Sequence, residues 1–261
     1  MTSATASFRA PAHRPPSKAL QFLELRAFSE FGASLALLPL LRRAPRGDGH
    51  PVLVLPGLIA SDSSTQPLRA YLSDLGYDVH GWGLGRNMGL KPGLEDKMRD
   101  RLCELHESTG RTVSVIGWSL GGVYAREIAN EVPDAVRSVI TLGSPLHGSP
   151  RATNAWRIYE LASGQSVDDP QLRRRRQAAP PVPTTSIYSR TDGIVAWRCS
   201  VEQPSDHTES IEVPGSHCGL AVNPAVLYAI ADRLAQPEGK WEHFDRRGVR
   251  GWVFPDPSRH D

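Results

Sequence analysis

The chain has 261 residues, enough for one large domain with a substantial core. Its 39% hydrophobic and 22% charged residues fit an ordinary soluble globular protein, and a net charge of +2 argues against the broad basic surface of a nucleic-acid binder. Three cysteines, Cys103, Cys199 and Cys218, give neither a metal-ligand spacing nor an even disulfide framework, so reduced thiols and a cytoplasmic setting are expected.

Residues 1–17 lack an apolar secretory core and are expected to be a disordered leader. The stretch "ALQFLELRAFSEFGASLALLPLLRR" follows. Glu24, Arg26 and Glu30 interrupt it and Pro39 is expected to break its end, so its uninterrupted part is too short to span a bilayer. Leu20, Leu23, Phe28, Phe31 and Leu35 fall near helical spacing. They predict an amphipathic helix within 18–45 that packs this face on the domain or lays it on a membrane surface.

From residue 46 to 236 short β-branched runs alternate with helical patterns. "PVLVLPG", "YDVHGWG", "TVSVIG", "VRSVITLGSP", "TTSIYS" and "SIEVPG" read as strands. "QPLRAYLSDLGY", "LEDKMRDRLCELHESTG", "SLGGVYAREIANEV" and "PAVLYAIADRLAQ" read as helices. This alternation predicts an α/β domain with a mostly parallel central sheet flanked by helices. Residues of about 147–183 break the rhythm with a helical pattern, the run Arg173–Arg176 and a proline-rich return, which predicts a short helical cap insertion. The run itself reads as a solvated loop, with contact to an anion or a membrane headgroup as the alternative. The tail, 237–261, is polar with scattered aromatics and is expected to pack loosely.

The segment "GWSLGG", Gly117 to Gly122, follows a strand and opens a helix. Glycines there remove Cβ atoms where strand and helix crowd. The serine is pushed into a strained conformation with its hydroxyl exposed, next to the partly positive N-terminus of the helix. Ser119 is therefore the candidate nucleophile, and it needs a base. Of nine histidines, His217 follows the last strand in "GSHCGLAVNP" and fits the order serine, acid, histidine; His207 and His147 are the alternatives. Asp192 directly follows "TTSIYS", with Gly193 permitting the turn, and Asp206 is its competitor. Two backbone N–H groups, of Leu120 and of Leu58 in the loop after the first strand, would hold an oxyanion. Trp82 and Trp118 are expected to border the site, and Trp156 and Tyr159 to roof it from the insertion. Arg86 and Asn87 would hold the glycine-rich loop "GWGLGRNMG" at that edge or meet a polar substrate group.

The set "VLVLPGL", "GWSLGG", "TLGSPLHGS", "YSRTDGIV" and "GSHCGL" resembles the α/β-hydrolase fold and, within it, bacterial lipase-like esterases. The likeness covers about Pro51 to Gln236. It implies a triad of Ser119, Asp192 and His217 that cleaves carboxylic esters through an acyl-enzyme, with no metal or other cofactor. A small-molecule or lipid ester would be the substrate. Many lipases carry His-Gly in the oxyanion loop where this chain has Pro56-Gly57, which makes Leu58 a weaker assignment than Leu120. Cys199 and Cys218 would flank the acid and base loops, where a disulfide is conceivable and two thiols are the default. An acyltransferase or thioesterase with the same triad, and a catalytically silent binding protein of this fold, are the competing readings.

Overall fold

A computed structural model describes residues 13–169 and 179–257. Arg173–Arg176, His260 and most of the leader lie outside the described residues.

Six strands form one sheet in the order β2-β1-β3-β4-β5-β6, and every neighbouring pair is parallel. In chain order they are β1 (Pro51–Leu55), β2 (Asp78–Gly81), β3 (Val113–Trp118), β4 (Val136–Leu142), β5 (Thr184–Tyr188) and β6 (Thr208–Glu212). Parallel strands need crossovers, and helices supply them on both faces. α1 (Lys18–Phe22) and α2 (Ala27–Leu41) precede the sheet, with one turn of 3₁₀ helix between them. α3 (Asp62–Asp74) joins β1 to β2, α4 (Leu94–Thr109) joins β2 to β3, and α5 (Leu120–Glu131) joins β3 to β4. α6 (Trp156–Ser163) lies in the insertion, α7 (Pro224–Leu234) follows β6, and α8 (Arg250–Val253) lies in the tail.

Local chemistry sets these boundaries. Ser61 and Ser64 form a reciprocal capping box at the start of α3, and the Asn223 side chain accepts the Ala225 N–H at 2.9 Å at the start of α7. Gly110, at φ 64°, closes α4 in the left-handed conformation that glycine adopts at little cost. Strand side chains alternate in direction, so Val52 and Val54 join the core under α3 and α7, while Leu53 and Leu55 join the core under α4 and α5.

Three expectations are corrected. α2 runs through Pro39 and ends at Leu41, so the proline does not break it. Most of the predicted apolar face of the N-terminal helices points away from the domain: Phe28 is 80% exposed and Leu35 57% exposed, while Glu24 and Ser34 are buried and only the end of α2, at Leu38 and Leu41, packs on the core. The tail is not loose. Phe244 and Phe254 are buried in the core, the Phe244 N–H donates to Glu209 Oε2 at 2.8 Å, and Arg246 Nη2 donates to the Ser210 carbonyl at 2.7 Å. The tail thereby covers the outer edge strand, β6, whose free backbone groups would otherwise invite pairing.

Candidate active site

Ser119 stands between β3 and α5. Its backbone, at φ 54° and ψ −118°, is in a region that side chains other than glycine rarely occupy. Its N–H donates to the Leu142 carbonyl at 2.8 Å, which ties the turn to the end of β4. The neighbouring glycines are needed for contact. A Cβ on Gly121 would lie 2.5 Å from the Leu55 carbonyl oxygen, and one on Gly117 would collide with the backbone of Gly121 and Gly122. Strand and helix touch here backbone to backbone, and that contact drives the serine outward.

His217 and Asp192 come to the same rim from the loops after β6 and β5. His217 Nε2 is 2.9 Å from Ser119 Oγ, and His217 Nδ1 is 2.7 Å from Asp192 Oδ2. The second carboxylate oxygen, Oδ1, accepts the N–H groups of Ile194 at 2.8 Å and Val195 at 2.7 Å, so the aspartate is fixed at both ends. Asp192 and His217 are buried at 3% and 5% exposure. Burial pulls the His217 pKa down, but the charge and hydrogen bond of Asp192, and then the charge of Glu24, outweigh it, so the pKa lies above the ordinary histidine value. The competitors sit elsewhere. His207 and Asp206 precede β6, at the opposite end of that strand, and His147 Nε2 lies 3.4 Å from Glu202 Oε1.

Leu58 and Leu120 line a small pocket of about 40 Å³ with Ser119, and Trp156 and Tyr159 of the insertion close it. A larger cleft of about 420 Å³ opens on Ser119 and His217 between Leu58, Ile59, Arg86, Trp118, Ile158 and Ile194. Trp118 also supports the base loop, because its Nε1–H donates to the His217 carbonyl at 3.1 Å. Trp82 does not border either space. It is 2% exposed, with its Nε1–H donating to the Gly85 carbonyl at 2.9 Å, because its ring turns into the core beneath α4. The loop carrying Leu58 is braced by Asn87, a fully buried side chain. Asn87 Nδ2 donates to the Pro56 carbonyl at 2.9 Å, its N–H donates to the Ala60 carbonyl at 2.8 Å, and its carbonyl accepts the Ile59 N–H at 2.6 Å. That brace holds Ile59 at φ 56°, an unusual value for a β-branched residue. No disulfide joins Cys199, which is buried, to Cys218, which is exposed.

Solved structures share this fold. Over 73% of this chain and 53% of the other, the structure superposes on lipase B from Aspergillus fumigatus with a TM-score of 0.55 at 18% identity. A structure from work on two metagenome-derived lipolytic enzymes gives a TM-score of 0.53 at 16% identity over 73% of this chain and 93% of that one. The chain has the α/β-hydrolase fold. Within this fold, ligands meet the protein at the carboxyl ends of the strands, where Ser119, Asp192 and His217 all lie. A curated relative, the pimeloyl-[acyl-carrier protein] methyl ester esterase of Shewanella woodyi, is 30% identical over 110 residues. That match spans 42% of this chain and 42% of the relative's length. No family model matches the chain.

Asn87 has the supporting role expected of it, but the loop it braces is the one carrying Leu58, and the sequence reading assigned no role near the site to Glu24, Arg26 and Glu30. The signal for the last three was present: charged side chains recur within an otherwise apolar helical stretch, where each must find a partner or face water.

Proposed function

We propose that the chain hydrolyses carboxylic esters through an acyl-enzyme on Ser119, with His217 as base and Asp192 as its orienting acid. The observation that carries this reading is the hydrogen-bonded line from Ser119 Oγ through the imidazole to Asp192, with the serine opening on a cleft. In this reading His217 Nε2 takes the Ser119 proton as Oγ attacks the ester carbonyl. Asp192 stabilises the imidazolium and fixes the tautomer. The Leu120 N–H, in the first turn of α5 and without an intrahelical acceptor, receives the oxyanion together with the Leu58 N–H. The imidazolium then protonates the leaving alcohol, and water repeats the steps on the acyl-enzyme. Removal of one such donor costs about 3 kcal/mol of transition-state stabilisation.

The cleft walls are largely apolar, with Arg86 as a charged exception, which supports a lipophilic ester of small to middling size. A relative that is an esterase, and structural neighbours that are lipolytic enzymes, support the same reaction class. The test is a p-nitrophenyl ester series from acetyl to palmitoyl with wild type and Ser119→Ala. Hydrolysis that depends on Ser119 is expected, and hydrolysis surviving in Ser119→Ala contradicts the reading. Alcohol added to the same assay reports on the acyl-transfer alternative, which predicts product diverted from acid to ester.

The outward face of the N-terminal helices supports a second element, contact with a lipid surface. Phe22, Leu25, Phe28 and Leu35 are all more than half exposed on it. Among the described residues no helix is long and apolar enough to cross a membrane. Flotation with phosphatidylcholine vesicles tests the contact: wild type is expected to float and Phe22→Ser/Phe28→Ser to stay below, and wild type remaining below contradicts it.

A further inference from the structure

Residues 18–41 lie outside the alternating unit, yet their polar side chains reach both loops that carry the candidate acid and base. Glu24 is the central one, buried at 9% exposure. Its Oε1 accepts the backbone N–H of Gly193 at 2.7 Å and that of His217 at 3.0 Å. Its Oε2 accepts the N–H of Cys218 at 2.7 Å. One carboxylate therefore binds the residue directly after Asp192 and the base itself. Arg26 stitches the same loops together: Nη2 donates to the Thr191 carbonyl at 2.7 Å and to the Gly215 carbonyl at 2.7 Å. Glu30 Oε1 accepts the Ser216 N–H at 2.8 Å and lies 3.5 Å from Arg26 Nε.

The helix approaches so closely that only glycine fits at 193. A Cβ there would lie 2.6 Å from the Leu20 carbonyl carbon and 2.8 Å from Gln21 Cα. Gly193 is not among the residues at positive φ, so close approach and not turn geometry accounts for it. This also explains why the helices dock with their apolar face outward. The loop rim offers them backbone N–H groups, which need acceptors, in place of an apolar surface.

We propose that Glu24 is a positioning residue for His217, holding the acid and base loops in register through three backbone N–H groups and adding negative charge beside the imidazole. The proposal rests on the ester-hydrolase reading of Ser119, Asp192 and His217. Loops carrying reactive groups are ordinarily the mobile part of a fold, and productive geometry tolerates a misplacement of only ~0.5 Å. Hydrogen bonds to an ionised carboxylate are about twice as strong as neutral ones, so a single buried carboxylate can hold two loops. The carboxylates of Asp192 and Glu24 act directly on His217, and Glu30 and Arg26 form an ion pair behind them. Glu24 favours the imidazolium that forms when Ser119 gives up its proton, and so contributes to the raised pKa of His217.

The experiment uses the full chain as wild type, Glu24→Gln and Glu24→Ala. The readouts are kcat and KM across pH with an ester substrate, and titration of the His217 ring by NMR. Glu24→Gln removes the charge but keeps the size and one acceptor oxygen. Its acid limb and its ring titration are expected to move to lower pH, because a charge that raised the pKa is gone. Glu24→Ala is expected to lower kcat by about 10- to 100-fold with little change in KM. A loss of stability alone would lower the amount of active protein without moving either titration. Unmoved titrations in Glu24→Gln together with wild-type kcat in folded Glu24→Ala overturn the proposal. Should Glu24→Ala fail to fold, the Glu24→Gln titration decides alone. Should wild type show no Ser119-dependent hydrolysis, the ester reading fails, while the ring titration still decides the role of Glu24.

Discussion

Among the described residues, two serine–histidine–aspartate lines run through this molecule, at opposite ends of β3. At the far end from the cleft, His50 Nε2 is 2.9 Å from Ser114 Oγ and His50 Nδ1 is 2.5 Å from Asp48 Oδ1. At the cleft end the matching distances, through His217, are 2.9 Å and 2.7 Å. Residue types and hydrogen bonds are alike, so neither separates the two. The surroundings do. Ser114 lies within β3 at 1% exposure, with its hydroxyl shared with Ser138 Oγ at 3.0 Å. Ser119 lies past the strand end, in strained backbone, at the head of α5 and on two cavities.

Electrostatics also separates them. Burial and the nearby Arg137 guanidinium hold the His50 pKa below the ordinary value, against the opposing pull of Asp48. Asp48 is itself shared, since its Oδ2 accepts from Arg111 at 2.9 Å and from Arg137 at 3.0 Å. The His217 pKa is raised because Asp192 and Glu24 face it. An imidazole that must become charged during a reaction is supported only at the cleft end. At the other end the same three residue types serve as a clamp between β3 and the loop before β1, with His50 and Ser114 buried and Asp48 exposed.

The comparison can be broken by substitution. Ser119→Ala is expected to lower ester hydrolysis by roughly 10⁶-fold, the scale on which a nucleophile loss is felt, whereas Ser114→Ala leaves kcat unchanged. Asp192→Asn is expected to cost about 10⁴-fold in kcat by favouring the wrong imidazole tautomer, and Asp48→Asn to leave kcat unchanged. Stability sharpens the contrast from the other side. Ser114→Ala is expected to cost about 1–3 kcal/mol in urea unfolding, because it leaves a buried imidazole nitrogen without its partner. The smallest effect concerns pH. A histidine whose folded pKa is depressed contributes stability above its unfolded pKa, and that stability is lost as pH falls. His50→Gln is therefore expected to flatten the loss of thermal stability as pH drops through about 6.5. His217 carries the opposite sign. Its contribution is present below the unfolded pKa and fades as pH rises through the raised folded value, while the neutral form needed for catalysis appears only over that rise.

Much of the site could be read from local sequence, for a physical reason. The strands announce themselves by β-branched runs, and "GWSLGG" encodes a backbone contact that tolerates no Cβ. Asp192 and His217 follow from their places after strand ends. What was not legible depends on partners distant in sequence. Periodicity assumes that apolar positions face the core, and the N-terminal helices reverse that assumption because loop N–H groups claim Glu24 and Arg26. Trp82 follows a strand end, as a rim residue would, but the core beneath α4 accepts its ring. Phe244 and Phe254 look scattered in the tail and meet only when the chain returns over β6. The His50 line was hidden because chain order excluded His50 as a base without saying what else it does.

The central claim is that one of the two serines, and only that one, is a nucleophile. Treatment of wild type with a fluorophosphonate, followed by proteolysis and mass mapping of the adduct, tests it most directly. The account predicts a single covalent adduct on Ser119, with Ser114 unmodified. An adduct on Ser114, or wild type left unlabelled under conditions that label an active serine hydrolase control, would contradict it.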